Sequence, residues 1–352
     1  MTKERIKSID LARVLAIFMV LICHCTDTFY KLNVDFMSTI TLGSKVFACS
    51  AMSIGRMGVP LFLMITGFLL LERSYNNEKT LRFWNRNSKH LILCTLIWAV
   101  LIELFLIFIM HNKISPIDFI TSVLLLKPIE MSHFWYLPMI IGMYILIPFV
   151  ANALKNYELN VIMKPIIFFS VLAFFIPFLI SILEYYGISN LSSEISLGFS
   201  GGIYGIYMVM GYLIKKDYFK RFKSSLLTII FIITFISFII LEIYSFDKGF
   251  KIHIYYESPF ILICSICIFE LITRIKTIPF YNMIKSLAIY SFGIYLIHNF
   301  FRFPLIEFFK ALSISNPIKA VILWFTLLIL SYISAIIISK IPKVGKYILY
   351  LK

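Results

Sequence analysis

Long apolar runs, separated by short polar loops, recur along nearly the whole chain. A bilayer core about 30 Å thick is crossed by a helix of about 20 apolar residues. Ten runs approach that length: residues 11–30, 46–71, 91–110, 134–154, 161–183, 199–214, 226–244, 259–273, 284–301 and 317–338. The run 117–126 is too short to cross, so it is expected to be re-entrant or interfacial. The pattern predicts an all-α polytopic membrane protein with about ten transmembrane helices.

The basic residues are distributed unequally between the two sets of loops. Most of the 33 Lys and Arg residues precede the first run or fall in every second loop after it. A minority, including Lys45, Arg302 and Lys319, fall in the alternate loops or at their edges. Because short loops rich in Lys and Arg stay cytoplasmic, the N-terminus is predicted to be cytoplasmic. Ten spans place the C-terminus on the same side.

The composition favours one membrane domain. Of the 352 residues, 60% are hydrophobic and 14% are charged, whereas soluble domains average about 45–50% apolar and about 25% charged residues. No polar stretch is long enough for a second domain, so residues 1–352 are expected to form a single domain without a fused extracellular domain. The net charge of +15 reflects the loop bias, and no module typical of nucleic-acid binding accompanies it.

The six cysteines lie mostly within apolar runs. They are interpreted as small apolar side chains, and no metal site is predicted.

Two polar side chains share one face of the first predicted helix. Arg13 and His24 are eleven residues apart, which at about 100° per residue turns them the same way, roughly 16 Å apart along the axis. Asp10 lies one turn before Arg13. Intramembrane charges are costly, so these side chains are expected to face protein or water at a functional site. The alternatives are an Arg13 that snorkels to the headgroups and a His24 that only bonds a neighbouring helix.

The second run carries an arginine in its outer half. The same run contains Gly55, Gly58 and Gly67, small residues that permit close helix contact. Pro60 frees a backbone carbonyl, which indicates a kink beside a cavity. The alternative for Arg56 is a structural ion pair with a carboxylate.

Two histidines lie near the outer ends of later runs. His133 begins the sequence His-Phe-Trp-Tyr at the start of the fourth run, and His298 lies near the outer end of the ninth. Trp135 and Tyr136 also fit an interfacial aromatic belt, and His298 by itself fits a buried structural histidine.

Four of these segments resemble, in order, the sequence blocks of the membrane acyltransferase family 3. The first is Arg13 followed, after ten intervening residues, by His24. The second is segment 56–68, RMGVPLFLMITGF, in which Thr66 replaces the usual Ser of the family and retains its hydroxyl. The others are segment 133–136, HFWY, and segment 291–298, SFGIYLIH. The resemblance extends from the first run to the ninth.

The resemblance implies transfer of an acyl group, usually acetyl, from cytoplasmic acyl-CoA to a hydroxyl of a surface or lipid-linked glycan. Acetyl-CoA or another acyl-CoA would be a co-substrate, and no tightly bound cofactor is expected. The other expected partners are the glycan acceptor and the lipid bilayer, without nucleic acid. The expected location is a bacterial cell membrane.

The resemblance also implies roles for individual residues. Arg13 would hold the pyrophosphate of CoA by charge-assisted hydrogen bonds, with Asp10 orienting it. His24 would be the general base, ahead of a covalent role, and Arg56 would stabilise an oxyanion or bind acceptor oxygens. Three arginines of the next cytoplasmic loop would assist with CoA unless they reflect only the charge bias: Arg73, Arg82 and Arg86. The supporting residues would be His133, Trp135, Tyr136 and His298.

Two other functions remain open at the sequence level. Buried Arg and His residues also mark transport pathways, as in a transporter or flippase, although no two-fold repeat with broken helices is evident. A secretion partner or polymer synthase of a surface-polysaccharide system is the second alternative. Acyl transfer from acyl-CoA distinguishes the enzyme from both.

Overall fold

The described part of the chain is built from helices. A computed structural model describes residues 5–188, 191, 202–250, 252, 255–342 and 345–351, and these ranges contain no β-strand. The helices are α1 (Lys7–Phe29), α2 (Val34–Thr39), α3 (Leu42–Arg56), α4 (Gly58–Leu70), α5 (Asn77–Phe83), α6 (Lys89–Phe108), α7 (Pro116–Val123), α8 (Tyr136–Leu154), α9 (Leu159–Ser170), α10 (Ile176–Tyr185), α11 (Ile203–Lys215), α12 (Ser224–Asp247), α13 (Pro259–Thr273), α14 (Tyr281–Ala311), α15 (Asn316–Ser339) and α16 (Gly345–Ile348). Short π-helical turns join α5 to α6 and α9 to α10.

Helices occupy all ten predicted runs, as far as the structure describes them; the start of run 199–214 lies outside the described residues. Seven helical stretches have the length and apolarity to cross a membrane: Lys7–Phe29, Leu42–Leu70, Asn77–Phe108, Ser132–Leu154, Leu159–Tyr185, Ser224–Asp247 and Asn316–Ser339. Helices α11 and α13 are apolar but shorter, and α14 contains several charged residues. The chain is therefore a multi-pass helical membrane protein. The count of ten crossings and the side of the termini stay predictions.

The shortest apolar run forms a helix of its own. Run 117–126 corresponds to α7, which begins at Pro116 and has 8 residues. At about 1.5 Å per residue, α7 is far too short to cross the bilayer.

One predicted boundary is wrong. The sequence predicts an end of the ninth span at residue 301, with Arg302 in an outer loop, whereas α14 continues to Ala311. Arg302 is only 6% exposed. A charged residue interrupts an apolar run, but it does not end a helix when its donors find partners inside the bundle.

Helix α1 lies at the centre of the bundle and packs against α3, α4, α14 and α15. Over the most apolar 18 residues of each helix, 67% of the residues are buried in α1, 17% in α12 and 22% in α15. Helices α12 and α15 therefore lie toward the outside of the bundle, whereas α1 is largely enclosed. The helix that carries Arg13 and His24 is thus, with the 72%-buried stretch Leu42–Leu70, well placed to keep polar side chains away from acyl tails.

Glycines allow α4 and α11 to touch backbone to backbone. A Cβ at Gly67 would lie 1.8 Å from the carbonyl oxygen of Met208, and a Cβ at Gly211 would lie 2.0 Å from that of Met64. No side chain fits at either position without moving the two helices apart. This confirms the close approach expected of Gly67.

We expect Gly67→Ala to destabilise the fold, because its methyl group would enter the Met208 carbonyl. The free energy of unfolding should fall by about 2 kcal/mol or more, measured as a lower thermal unfolding midpoint of the detergent-purified protein. Gly142→Ala in α8 is the matched control, since a Cβ there meets nothing within 4 Å. An unchanged midpoint for Gly67→Ala would contradict the observed helix contact.

Candidate active site

A cavity of about 310 Å³ lies at the outer end of α1, as the predicted orientation defines it. Five residues singled out in the sequence line it: His24, Arg56, His133, Trp135 and Tyr136. They come from α1, from α3 and from the turn Ser132–Trp135 that leads into α8. The fold therefore brings three distant sequence segments to one space, which we call the outer cavity.

Three histidines cluster beside the outer cavity. The ring centroid of His298 lies 5.0 Å from that of His24 and 4.9 Å from that of His133, and the His24 and His133 centroids are 6.2 Å apart. His133 and His298 are buried. His298 is absent from the lining of the cavity, so it lies behind His24. The cluster unites the histidines of runs one, four and nine.

A chain of hydrogen bonds anchors this cluster. Asn299 Nδ2 lies 2.6 Å from His133 Nδ1, and Arg302 Nε donates to Asn299 Oδ1 at 2.6 Å. Arg302 also donates to the carbonyl oxygen of His24 at 3.3 Å and to Thr28 Oγ1 at 3.2 Å. These bonds join α14 to the outer end of α1. They fix the positions of the three imidazole rings relative to one another.

Arg56 is placed by a break in its helix. Pro60 has no N–H to donate to the Arg56 carbonyl, and α3 ends at Arg56 while α4 begins at Gly58. The guanidinium carbon lies 4.4 Å from the ring centroid of Tyr255 and 5.6 Å from that of Tyr256. Its Nε has no hydrogen-bond partner among the described residues. Arg56 is therefore held against aromatic rings, and its buried Nε–H remains available to donate a hydrogen bond.

The aromatic residues beside His133 also line the site. The Trp135 ring packs against Tyr204 and Tyr256, with both centroid distances 5.4 Å, and the two tyrosine rings are themselves 6.3 Å apart. Both Trp135 and Tyr136 line the outer cavity, which is a different environment from an interfacial aromatic belt.

A second cavity, of about 410 Å³, opens at the other end of α1. Its lining includes Arg5, Arg13 and Arg73, and we call it the inner cavity. Thr66 also lines it and donates to the carbonyl oxygen of Phe62 at 2.9 Å. Three cations at one cavity form an electropositive site suited to phosphate groups.

Asp10 organises the inner cavity. Its fully buried carboxylate accepts from Arg13 at 3.0 Å, from Arg5 Nε at 2.5 Å and from Tyr281 Oη at 2.8 Å. The hydrogen bond to Asp10 raises the pKa of the Arg5 guanidinium. Arg13 is thus fixed by a buried carboxylate at a cavity, rather than extended toward headgroups.

The three loop arginines occupy different environments. Arg73 lines the inner cavity and donates to the carbonyl oxygen of Leu69 at 2.9 Å. Arg82 pairs with Glu78 on the exposed face of α5 at 2.5 Å, and Arg86 is exposed on the adjoining π-helical turn. Of the three, Arg73 is the one that lies with Arg13.

A narrow apolar space lies between the two cavities. It has a volume of only about 30 Å³, and its lining comprises Val20, Val59, Phe62, Tyr136, Phe292 and Tyr295. Tyr136 lines this space and both cavities. The two polar sites are therefore neighbours on either side of an apolar neck inside the protein.

The chain matches the acyltransferase domain family over residues 6–340, nearly its whole length. It belongs to this family. No curated protein and no solved structure shows a significant match. The family membership confirms the resemblance seen in the four sequence blocks and identifies the chain as an acyltransferase.

The candidate site contains residues that the sequence patterns did not single out. Asn299 and Arg302 follow His298 by one and four positions, so their helical spacing was a usable signal. No comparable signal in the sequence marked Tyr281, Tyr255 and Tyr256. Tyr281 meets Asp10, and the other two tyrosines meet Arg56, only through tertiary packing. Together the groups offer imidazoles at one cavity and guanidinium groups at the other, the chemistry needed for proton transfer and for anion binding.

We expect Arg302→Met to weaken the fold, because it removes the donors that satisfy Asn299 Oδ1 and the His24 carbonyl. The free energy of unfolding should fall by about 2 kcal/mol, measured by thermal unfolding in detergent. Lys113→Met, in an exposed loop, is the control for loss of a positive charge and should leave the midpoint unchanged. Equal midpoints for Arg302→Met and the unaltered protein would show that these contacts add little.

Proposed function

We propose that this acyltransferase moves an acyl group, in the simplest case acetyl, from cytoplasmic acyl-CoA to a hydroxyl of a cell-surface or lipid-linked glycan. The supporting observation is the pair of cavities on either side of the apolar neck, one lined by arginines and the other by histidines. CoA carries several phosphates, which suit the inner cavity. A hydroxyl acceptor requires a base, which suits the outer cavity.

The orientation of the chain assigns a side to each substrate. With the N-terminus in the cytoplasm, as the loop charges favour, Arg13 lies at the cytoplasmic end of α1 and His24 toward the outside. The two residues are roughly 16 Å apart along the helix. We propose that CoA stays at the inner cavity while its extended pantetheine arm passes the neck. The thioester then reaches the outer cavity, and the bulky glycan never crosses the bilayer.

In the proposed reaction His24 takes the proton of the acceptor hydroxyl as the oxygen attacks the thioester carbonyl carbon. The new C–O bond forms, the C–S bond breaks, and the proton on His24 passes to the departing CoA thiolate. Arg56 stabilises the oxyanion that develops on the carbonyl oxygen, because a desolvated donor is most effective where charge appears. His133, Trp135 and Tyr136 shape the space for the acceptor.

Family membership favours this reaction over a transporter or a secretion partner, since those functions need no acyl donor. The arrangement also fits a bacterial cell membrane, in which cytoplasmic CoA and external glycans lie on opposite sides. No tightly bound cofactor enters the proposed reaction.

His24→Ala should reduce acyl transfer by about 100-fold or more, because the base is lost. Mass spectrometry of surface glycans from complemented deletion cells measures the transferred acyl groups and also identifies the acceptor sugar. Thr326→Ala, on the exposed face of α15, is the matched control and should retain full acylation. Normal acylation in cells producing His24→Ala would remove His24 from the reaction.

Arg13→Ala should raise the KM for acetyl-CoA about tenfold, the effect of losing one charge-assisted hydrogen bond. Asp10→Asn should act in the same direction, because the Asp10 carboxylate holds Arg13 in place. Release of free thiol from acetyl-CoA by protein in lipid nanodiscs gives KM and kcat. Lys113→Ala is the charge control. An unchanged KM for Arg13→Ala would place the CoA phosphates elsewhere.

A further inference from the structure

The proposed base lacks the partner that usually orients a catalytic histidine. A histidine base works when an acceptor holds its second nitrogen, often a carboxylate. Among the described residues, no carboxylate lies within ion-pair distance of the His24 ring, and Asp27, one turn away, is exposed. The groups beside the His24 ring are the imidazoles of His133 and His298.

The hydrogen-bond chain from Arg302 determines the tautomer of His133. A guanidinium only donates, so the oxygen of the Asn299 amide must face Arg302 and its nitrogen must face His133. Asn299 therefore donates to His133 Nδ1, and the proton of the neutral His133 ring lies on Nε2. Neither nitrogen of His133 is then free to accept a hydrogen bond from His24.

The opposite tautomer holds at His298. Its Nδ1 lies 2.7 Å from the carbonyl oxygen of Tyr295, and a carbonyl only accepts, so Nδ1 carries the proton. Nε2 of the neutral ring is consequently an unprotonated acceptor. This atom is buried and has no hydrogen-bond partner among the described residues, a costly state for a polar group. It lies in the ring whose centroid is 5.0 Å from that of His24.

We infer that His298 is the positioning residue of His24: its Nε2 accepts a hydrogen bond from the ring of His24, leaving the other nitrogen of His24 unprotonated toward the outer cavity. This inference rests on the proposed function. Two imidazoles joined by an N–H···N bond of about 2.9 Å have ring centroids roughly 5 Å apart, so only a rotation of the His24 ring is needed. When His24 takes the hydroxyl proton, its other proton stays shared with His298.

The assignment gives His298 the role that a carboxylate has in other histidine dyads. The bond joins two neutral rings, so it requires no buried carboxylate beside His24. His133, at a ring-centroid distance of 4.9 Å from His298, is the competing donor, because its protonated Nε2 is also buried and has no hydrogen-bond partner among the described residues.

Solid-state NMR of ¹⁵N-histidine-labelled protein in lipid tests the tautomers directly, with His133→Gln and His298→Gln used to assign the signals. The expected result is a protonated Nε2 in His133 and an unprotonated Nε2 in His298 that is coupled to an N–H of His24. Coupling of His298 Nε2 to the N–H of His133 instead would overturn the inference. The reverse assignment in either ring would overturn the inference, whether or not the enzyme transfers acyl groups as proposed.

Kinetics with acetyl-CoA as the probe test the role. His298→Ala should lower kcat for thiol release about 100-fold and leave KM for acetyl-CoA unchanged. The kcat of His298→Gln should be at least about tenfold higher than that of His298→Ala, because the glutamine Oε1 accepts a hydrogen bond near the position of Nε2. If His24→Ala is inactive and His298→Ala is fully active, the inference is refuted and the proposed function stands. If His298→Ala and His298→Gln are equally low in activity, the acceptor role of His298 is refuted. A fully active His24→Ala would instead refute the proposed function.

Discussion

The structure depends on one constraint, that ionised and hydrogen-bonding side chains within a bilayer must meet each other rather than lipid. Helix α1 carries polar residues along one stripe, and the bundle encloses that helix with α3, α4, α14 and α15. Gly55 and Gly58 allow α3 and α4 to pack closely against Cys23, Ala16 and Val20 of α1. The polar stripe thereby becomes the wall of two cavities instead of a membrane-exposed defect.

The two ends of the stripe satisfy their polar groups by different means. At the inner end a single buried carboxylate, Asp10, pairs with both Arg5 and Arg13, and a net positive charge remains. At the outer end Arg302 forms no ion pair among the described residues, and its donors are met by an amide, a hydroxyl and a carbonyl. One end is therefore strongly ionic and suits a phosphorylated ligand, whereas the other is built from neutral acceptors that set imidazole tautomers.

The separation of these environments has a chemical consequence. An apolar neck separates the guanidinium groups of Arg5, Arg13 and Arg73 from the imidazoles at the other cavity. In the proposed reaction, proton transfer takes place at the outer cavity, beside the imidazoles. In a low-dielectric environment the orientation of each donor and acceptor matters more than it would in solution.

The sequence by itself determined the membrane class, the helical content, the shared face of Arg13 and His24, and the family. These features follow from apolar run length, helical periodicity and residue order, which are all local properties. Only the tertiary structure decided that His24, His133 and His298 adjoin one another, that Arg302 is buried, and that Arg73 lies with Arg13 while Arg82 pairs with Glu78. Those facts depend on how distant helices pack and on which hydrogen-bond partners they bring, and neither the spacing nor the composition of a single segment contains that information.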